Sequence, residues 1–113
     1  MKKDPKIFLE HILECIEFIE EYVRDFSKEE FLKSTQTQDS VTRRLEVIGE
    51  ATKHLLDEFK EYYQDIPWKK ILAMRNMLIH EYFAVNLDVV WKTVQEDIPE
   101  LKSHIKKILE DYK

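Results

Sequence analysis

The sequence predicts an all-α protein folded as an antiparallel helical bundle of four to five helices. Only 1 Gly and 3 Pro occur among 113 residues, which disfavours strands joined by tight turns. Apolar residues recur at steps of three and four over long stretches, as they do on the buried face of a helix. The connections between these stretches are short, which favours antiparallel neighbours.

The length of the chain predicts one domain spanning residues 1–113. With 43% hydrophobic residues, it is large enough to bury one core but too small for two. The single cysteine, Cys15, excludes an internal disulfide, and no N-terminal stretch has the apolar run of a signal peptide. No run approaches the roughly 20 apolar residues that a membrane span needs. We therefore expect a soluble, cytoplasmic protein without a membrane partner.

The net charge of −5 argues against a general nucleic-acid coat protein, because phosphate binding usually requires a surplus of basic residues. Only the middle third is positive, with seven Lys and Arg against six Asp and Glu in residues 41–80. A surplus of one charge fits a small phosphate site, but chance would also give it.

Three elements are predicted in the first 40 residues. A long helix covers about residues 4–26, because apolar residues recur along one side of it. Ser27 and Glu30 have the spacing of a capping box, which opens a short helix to about Lys33. The polar run 34–40 is predicted to be a loop.

The second long helix is predicted to begin at Asp39 or Ser40 as its N-cap. Gly49 lies inside it, at a cost of about 1 kcal/mol relative to alanine. Two explanations stay open: another backbone approaches closely beside Gly49 and Ala51, or the glycine is a tolerated flaw. The positions predicted to face inward are Val41, Leu45, Ile48, Leu55, Leu56 and Phe59.

Further helices are predicted in the second half of the chain. Pro67 suits the first turn of a third helix, which continues to the region of His80. Asn86 or Asp88 caps a fourth helix. A second capping-box pattern at residues 97–100 restarts that helix toward the C-terminus.

The residues with the most chemical information lie at the end of the third helix. A permanent cation, an amide, an imidazole that titrates near neutrality and a phenol fall within eight positions, a combination suited to phosphate esters. At 100° per residue, Asn76 and His80 are about 40° apart, so the amide can hydrogen-bond the imidazole. Arg75 and His80 are about 140° apart, so either the helix ends near His80 or a second copy of the chain completes the site. The four residues are Arg75, Asn76, His80 and Tyr82.

The chemistry of RNA cleavage also favours two copies. Without a metal, it needs a base for the ribose 2′-hydroxyl, an acid for the leaving oxygen and a cation for the charge at phosphorus. One motif supplies one histidine, whereas a two-fold dimer supplies two. The structural alternative is that Arg75 is a surface ion-pair partner, His80 a cation at a helix end and Tyr82 a packing residue.

The stretch MRNMLIHEYF resembles the Arg-x4-His-x-Tyr motif of HepT-like proteins in the HEPN superfamily, which are small helical ribonuclease toxins. The likeness covers nearly the whole chain, with no departure from the motif. Four further stretches resemble the family: HILECIEFIEEY, TQDSVTRRLEVIGEATKHL, DIPWKKILAMRN and VWKTVQEDIPEL.

That resemblance implies a single HepT-like domain that acts as a homodimeric, metal-independent endoribonuclease, needs no cofactor and leaves a cyclic phosphate on RNA. Arg75 and His80 would be the catalytic residues and Asn76 a supporting residue. The protein would be the toxin of a type II toxin-antitoxin system, neutralised by a minimal nucleotidyltransferase that attaches AMP to Tyr82. The alternative is a non-enzymatic helical module that binds a nucleotide or a protein partner.

No metal site is predicted, because the histidines other than His80 lie far apart without companions at ligand spacing. His54 has Glu50 and Glu58 four residues away, which is more typical of an exposed ion pair. Glu50 would reach Arg75 if the second and third helices pack together, and a structural salt bridge is then the expected result.

Overall fold

The computed structural model describes residues 4–81 and 84–112. Within these residues the chain contains helices and turns but no strands, which confirms the predicted all-α class. None of the described helices is both long enough and apolar enough to cross a membrane. The helices are α1 (Pro5–Val23), α2 (Lys28–Lys33), α3 (Thr35–Lys53), α4 (Asp57–Tyr62), α5 (Trp68–His80), α6 (Leu87–Lys92) and α7 (Ile98–Asp111).

The hydrophobic core lies where α3 packs between α1 and α5 while α7 packs on α1. Each long helix contributes buried apolar side chains, so the core consists mainly of aliphatic residues from α1, α3, α5 and α7. Burying one such side chain contributes about 1.5–3 kcal/mol. The largest fully buried side chains are Phe31, Leu9, Ile12, Ile16, Ile19, Ile48, Ile105, Val41 and Val90.

Helix α1 begins as predicted and ends three residues earlier than predicted. The Asp4 side chain accepts the N–H of Lys6 at 2.9 Å, and Pro5 occupies the first turn. At the other end, Asp25 adopts a left-handed backbone conformation with φ of 65°. Aspartate tolerates this conformation better than most residues, and a single such residue stops a right-handed helix.

The capping box of α2 is confirmed, but the predicted loop at residues 34–40 is wrong. Both reciprocal bonds of Ser27 and Glu30 are present. Helix α3 then starts immediately at Thr35, because the Ser34 side chain accepts the N–H of Thr37 and acts as the N-cap. Asp39 and Ser40 therefore lie inside the helix. Polar composition suggested a loop, but polar side chains are stable in a helix once its first turn is capped.

Helix α3 is also shorter at its end than predicted. It stops at Lys53, with His54 as the C-cap residue. Leu55 is buried as predicted. Leu56 was also predicted to face inward, but this is wrong, since its side chain is 43% exposed. Phe59 belongs to the separate helix α4. The start of α5 is connected to the end of α4 by the Trp68 indole N–H, which donates to the carbonyls of residues 60 and 63.

The C-terminal helix, defined here as residues 87–111, differs from prediction at its centre. Asn86 caps it as predicted, accepting the N–H groups of Asp88 and Val89. The expected restart at residues 97–100 is wrong, because a π-helical segment, Thr93–Asp97, joins α6 to α7 without a break. Pro99 has no N–H to donate to the carbonyl four residues back, and the wider π turn accommodates this loss.

Candidate active site

The site is built at the crossing of α3 and α5, which run antiparallel. Gly49 faces Arg75, while Thr42, nearer the start of α3, lines the same cavity as Leu78, nearer the end of α5. This arrangement places the middle of α3 beside the last two turns of α5. Those turns carry the motif residues from Arg75 to His80.

Helix α5 ends at His80, so the expectation that the helix stops near the histidine is confirmed. Glu81 is the C-cap residue, and its N–H donates to the carbonyl of Met77 at 2.9 Å. His80 is exposed in the last turn, where the negative end of the helix dipole favours a cation. Tyr82, predicted to be the motif phenol, lies outside the described residues.

The Arg75 guanidinium is held from two sides. Its Nε donates to Glu50 Oε1 at 2.6 Å, and its Nη2 forms an ion pair with the same oxygen. Its Nη1 donates to the side-chain oxygen of Asn76 at 2.9 Å. The Arg75 side chain is only 18% exposed. The expected salt bridge between Glu50 and Arg75 is therefore confirmed.

Gly49 makes this arrangement possible. A β-carbon added to Gly49 would lie 2.6 Å from Cγ of Arg75, and closer still to Cβ of that residue. The position is closely packed, but the prediction of a backbone neighbour is wrong, because the three nearest atoms all belong to the Arg75 side chain. The stem of Arg75 fills the space where a larger residue at position 49 would have its side chain.

The electrostatics of the pair follow from this contact. The hydrogen bond from Arg75 lowers the pKa of Glu50 below its ordinary value of 4.5, and the positive charge of Arg75 adds to the shift while partial burial opposes it. Glu50 is consequently an anion at neutral pH. Its carboxylate offsets part of the Arg75 charge.

Asn76 supports the arginine and not the imidazole. The expected hydrogen bond between Asn76 and His80 is absent from the described part of the chain, and the amide oxygen accepts from Arg75. This bond has a charged donor, which makes it stronger than a bond between neutral groups. Helical spacing predicts that Asn76 lies near His80, but it does not show which side chain Asn76 contacts.

A cavity of about 340 Å³ lies beside the last turn of α5. One wall is the polar face of α3, including Asp39 and Glu46, and the other is apolar, including Leu78 and Leu87. The two acidic residues make this cavity a poor place for a phosphate.

Outside the motif, His54 is a packing residue in the structure. Among the described residues, no group of three potential ligands lies close enough to hold a metal ion. His54 does not form the predicted ion pair. Its ring stacks on Phe8, with centroids 5.5 Å apart and planes 10° apart, because the end of α3 packs against the start of α1.

A family model for ribonuclease HepT-like proteins matches residues 12–108, a region that includes α3, α5 and most of α7. The chain belongs to the HepT-like ribonuclease family. Over 108 residues this HepT-like chain is 48% identical to a probable ribonuclease HepT of Thermococcus cleftensis, covering 96% of this chain and 98% of the relative. No solved structure matches it.

Two further relatives of this HepT-like chain differ in length. A candidate RNase of Caldanaerobacter subterraneus is 46% identical over 111 residues, which cover 98% of this chain and 99% of the relative. A Methanocaldococcus jannaschii protein, named as a gamma-glutamylcyclotransferase and candidate RNase, is 52% identical over 111 residues. That match covers 98% of this chain but 50% of the relative, so the HepT-like chain spans half the length of that protein.

The HepT-like site offers a restrained guanidinium and an exposed imidazole less than two helical turns apart on α5. A guanidinium can stabilise negative charge, and an imidazole can serve as a general acid or a general base. One protomer carries one such imidazole in its motif. General acid and general base catalysis in a single step therefore requires a second group.

Proposed function

We propose that the protein is a metal-independent endoribonuclease that acts as a homodimer, with Arg75 and His80 as catalytic residues. The observation that carries this proposal is the contrast between the two side chains, because Arg75 is fixed by Glu50 and Asn76 whereas His80 is exposed at the helix end. Membership of the HepT-like ribonuclease family and relatives of nearly equal length named as ribonucleases support it.

In the proposed reaction, His80 of one protomer removes the proton from a ribose 2′-hydroxyl. The 2′-oxygen then forms a bond to phosphorus while the bond from phosphorus to the 5′-oxygen breaks, which leaves a 2′,3′-cyclic phosphate. His80 of the second protomer donates a proton to the departing 5′-oxygen. Arg75 stabilises the extra negative charge at phosphorus during this step.

The dimer is proposed for two reasons. The reaction needs a base and an acid at once, and each motif has one histidine. In addition, Arg75 and His80 diverge by about 140° on a regular helix, so a groove between two copies of α5 would bring an arginine and a histidine to one phosphate more directly than one copy does.

The proposal extends to regulation by a toxin-antitoxin system. A separate nucleotidyltransferase would attach AMP to Tyr82, two residues beyond His80 in the motif. The adduct would add a bulky anion next to the groups that handle the phosphate. Coexpression with such an enzyme should increase the mass of the protein by one AMP and stop cleavage, and Tyr82→Phe should prevent both effects.

A purified-protein assay with RNA in the presence of a chelator tests the central proposal. Wild type should produce fragments with cyclic phosphate ends, and His80→Ala should lose cleavage by about 10²- to 10⁴-fold while keeping its helical content. The matched control is His11→Ala, which removes an exposed histidine from α1. If His80→Ala cleaves as fast as wild type, the assignment of His80 is wrong.

The alternative function is a non-enzymatic module that binds a nucleotide or a protein partner through Arg75. One observation favours a role without catalysis: the Glu50 carboxylate already offsets part of the Arg75 charge, which leaves less of that charge to stabilise a transition state. The same assay separates the two functions. Intact RNA, together with tight and saturable nucleotide binding that Arg75→Ala abolishes, would support the module.

A further inference from the structure

We propose that Glu50 is a positioning residue, which orients the Arg75 guanidinium toward the RNA phosphate while Gly49 gives the arginine stem room to lie against α3. This inference rests on the proposed ribonuclease function. It assigns a role to a residue on a different helix from the motif. Glu50 would act through Arg75 and would not touch the substrate.

The pattern of donors supports this role. A guanidinium has five N–H groups. In the described residues, Glu50 accepts from Nε and forms an ion pair with Nη2, and Asn76 accepts from Nη1. At least one hydrogen on Nη1 and one on Nη2 therefore remain for another acceptor. These two donors lie at the tip of the side chain, which is the part best able to reach a phosphate.

The restraint also comes from packing. Nε is fixed by the carboxylate, and the Cβ and Cγ atoms of Arg75 lie against Gly49. Rotation about the side-chain bonds would break the first contact or move the stem away from the second. An arginine held in this way loses less conformational freedom when it binds a phosphate, which is a general route to faster catalysis.

A purely structural ion pair explains the same contacts less well. The Glu50 side chain is 43% exposed, and pairs open to solvent stabilise proteins only weakly. Such a pair gives little reason for an unfavourable glycine in the interior of α3. The need to orient the Arg75 guanidinium explains the glycine, because any β-carbon at position 49 would displace Arg75.

A second competing role is inhibition. The Glu50 carboxylate occupies the Nε and Nη2 side of Arg75, which a phosphate could otherwise use. If Glu50 mainly competes with RNA, its removal should raise activity. If it positions Arg75, its removal should lower activity. The two roles therefore predict changes of opposite sign.

The test compares Glu50→Gln with the matched control Glu46→Gln in the steady-state cleavage of a short RNA. Glu46 lies one turn earlier on α3 and pairs with Arg43 at 3.6 Å, so its replacement removes the same charge without loosening Arg75. Both variants should bind RNA slightly more tightly, because each loses one negative charge. Only Glu50→Gln should lower kcat, by about 10- to 100-fold, which is the scale expected for a misplaced catalytic group.

Two further measurements make the outcome decisive. Glu50→Asp keeps the charge but shortens the side chain, so it should recover part of the lost kcat if orientation matters. Circular dichroism and sedimentation must show that each variant is folded and assembled like wild type. Equal kcat values for the Glu50→Gln and Glu46→Gln proteins, or a higher kcat for Glu50→Gln, would overturn the positioning role. A wild-type protein without ribonuclease activity would overturn the proposed function and, with it, this role.

Discussion

Gly49 and Arg75 share one space at the crossing of α3 and α5. A β-carbon at position 49 would lie 2.6 Å from Cγ of Arg75, well inside van der Waals contact. The next residue, Glu50, is thereby close enough to accept from Nε of Arg75 at 2.6 Å. The only glycine of the chain and the arginine of the motif therefore depend on each other sterically.

Gly49→Ala should destabilise the protein despite the better helix propensity of alanine. Overpacking a close contact costs about 1–3 kcal/mol, whereas removing a glycine from a helix interior recovers about 1 kcal/mol. The atoms in conflict lie near the α5 backbone and cannot swing away, so we expect a net loss of up to about 2 kcal/mol. Urea unfolding of the two proteins measures it.

The control for this prediction is the same substitution made in an Arg75→Gly background. The glycine at position 75 removes the opposing side-chain atoms, so Gly49→Ala should then stabilise the protein. A Gly49→Ala protein that is more stable than wild type when Arg75 is present would contradict the close contact.

The Glu50 and Arg75 pair should make stability depend on pH. Because the pKa of Glu50 is lowered from 4.5 in the folded protein, its ionised form favours folding above that pH, and the contribution is lost as pH falls through the folded-state value. Glu50→Gln should therefore be less stable than wild type at pH 7, and the difference should vanish in acid. Urea unfolding at both pH values and in two salt concentrations checks this. A constant difference across pH would contradict the assignment.

The start of α3 can be tested by removing its N-cap. Ser34→Ala should lower the free energy of unfolding by about 1 kcal/mol, because the N–H of Thr37 loses its acceptor. Asp39→Ala is the matched control, since Asp39 was the N-cap expected from sequence but lies inside the helix. It should change stability by no more than about 0.5 kcal/mol. A larger loss for Asp39→Ala would place the helix start at the position predicted from sequence.

Arg75→Lys should abolish most RNA cleavage even though it keeps the positive charge. Lysine has its three donors on one nitrogen and no planar fork, so it cannot reproduce the separate contacts that Nε, Nη1 and Nη2 make with Glu50, Asn76 and a phosphate. We expect kcat to fall by about 10²- to 10³-fold, the scale of losing one donor to a developing charge. Arg43→Lys, an exposed site on α3, provides the control and should cleave like wild type. Equal activity of the Arg75→Lys and wild-type proteins would show that charge alone suffices.

Helix α5 illustrates what the sequence could predict. Its apolar periodicity and Pro67 indicated a helix that continues to the region of His80, and the structure has Trp68–His80. The prediction of a loop at residues 34–40 was wrong because it rested on polar composition alone. Composition does not show that the side chain of Ser34 caps the next helix. The π segment was missed because Pro99 and the acidic residues around it resemble a helix start.

The site was predictable to the extent that it depends on spacing along one helix. The motif placed Arg75 and His80 at the end of α5, but helical angles could not show that Asn76 would turn to the arginine. The contact with Glu50 was predictable only on the condition that α3 and α5 pack against each other. The choice of hydrogen-bond partners and the spacing between helices are properties of the folded chain.

The π segment of the C-terminal helix sets the direction in which the apolar faces of α6 and α7 point relative to each other. The buried apolar residues follow one another at steps of four from Val90 through Val94 to Ile98, and then at steps of three, four and three through Leu101 and on toward the C-terminus. Each step of four turns the apolar stripe by about 40° in a regular α-helix, and the wider π turn reduces this local drift. Deleting a single residue there would turn the downstream stripe by about 100°, whereas replacing an exposed one would leave it in place. The number of residues in this segment, more than their identity, keeps both halves of the helix aligned with the interior.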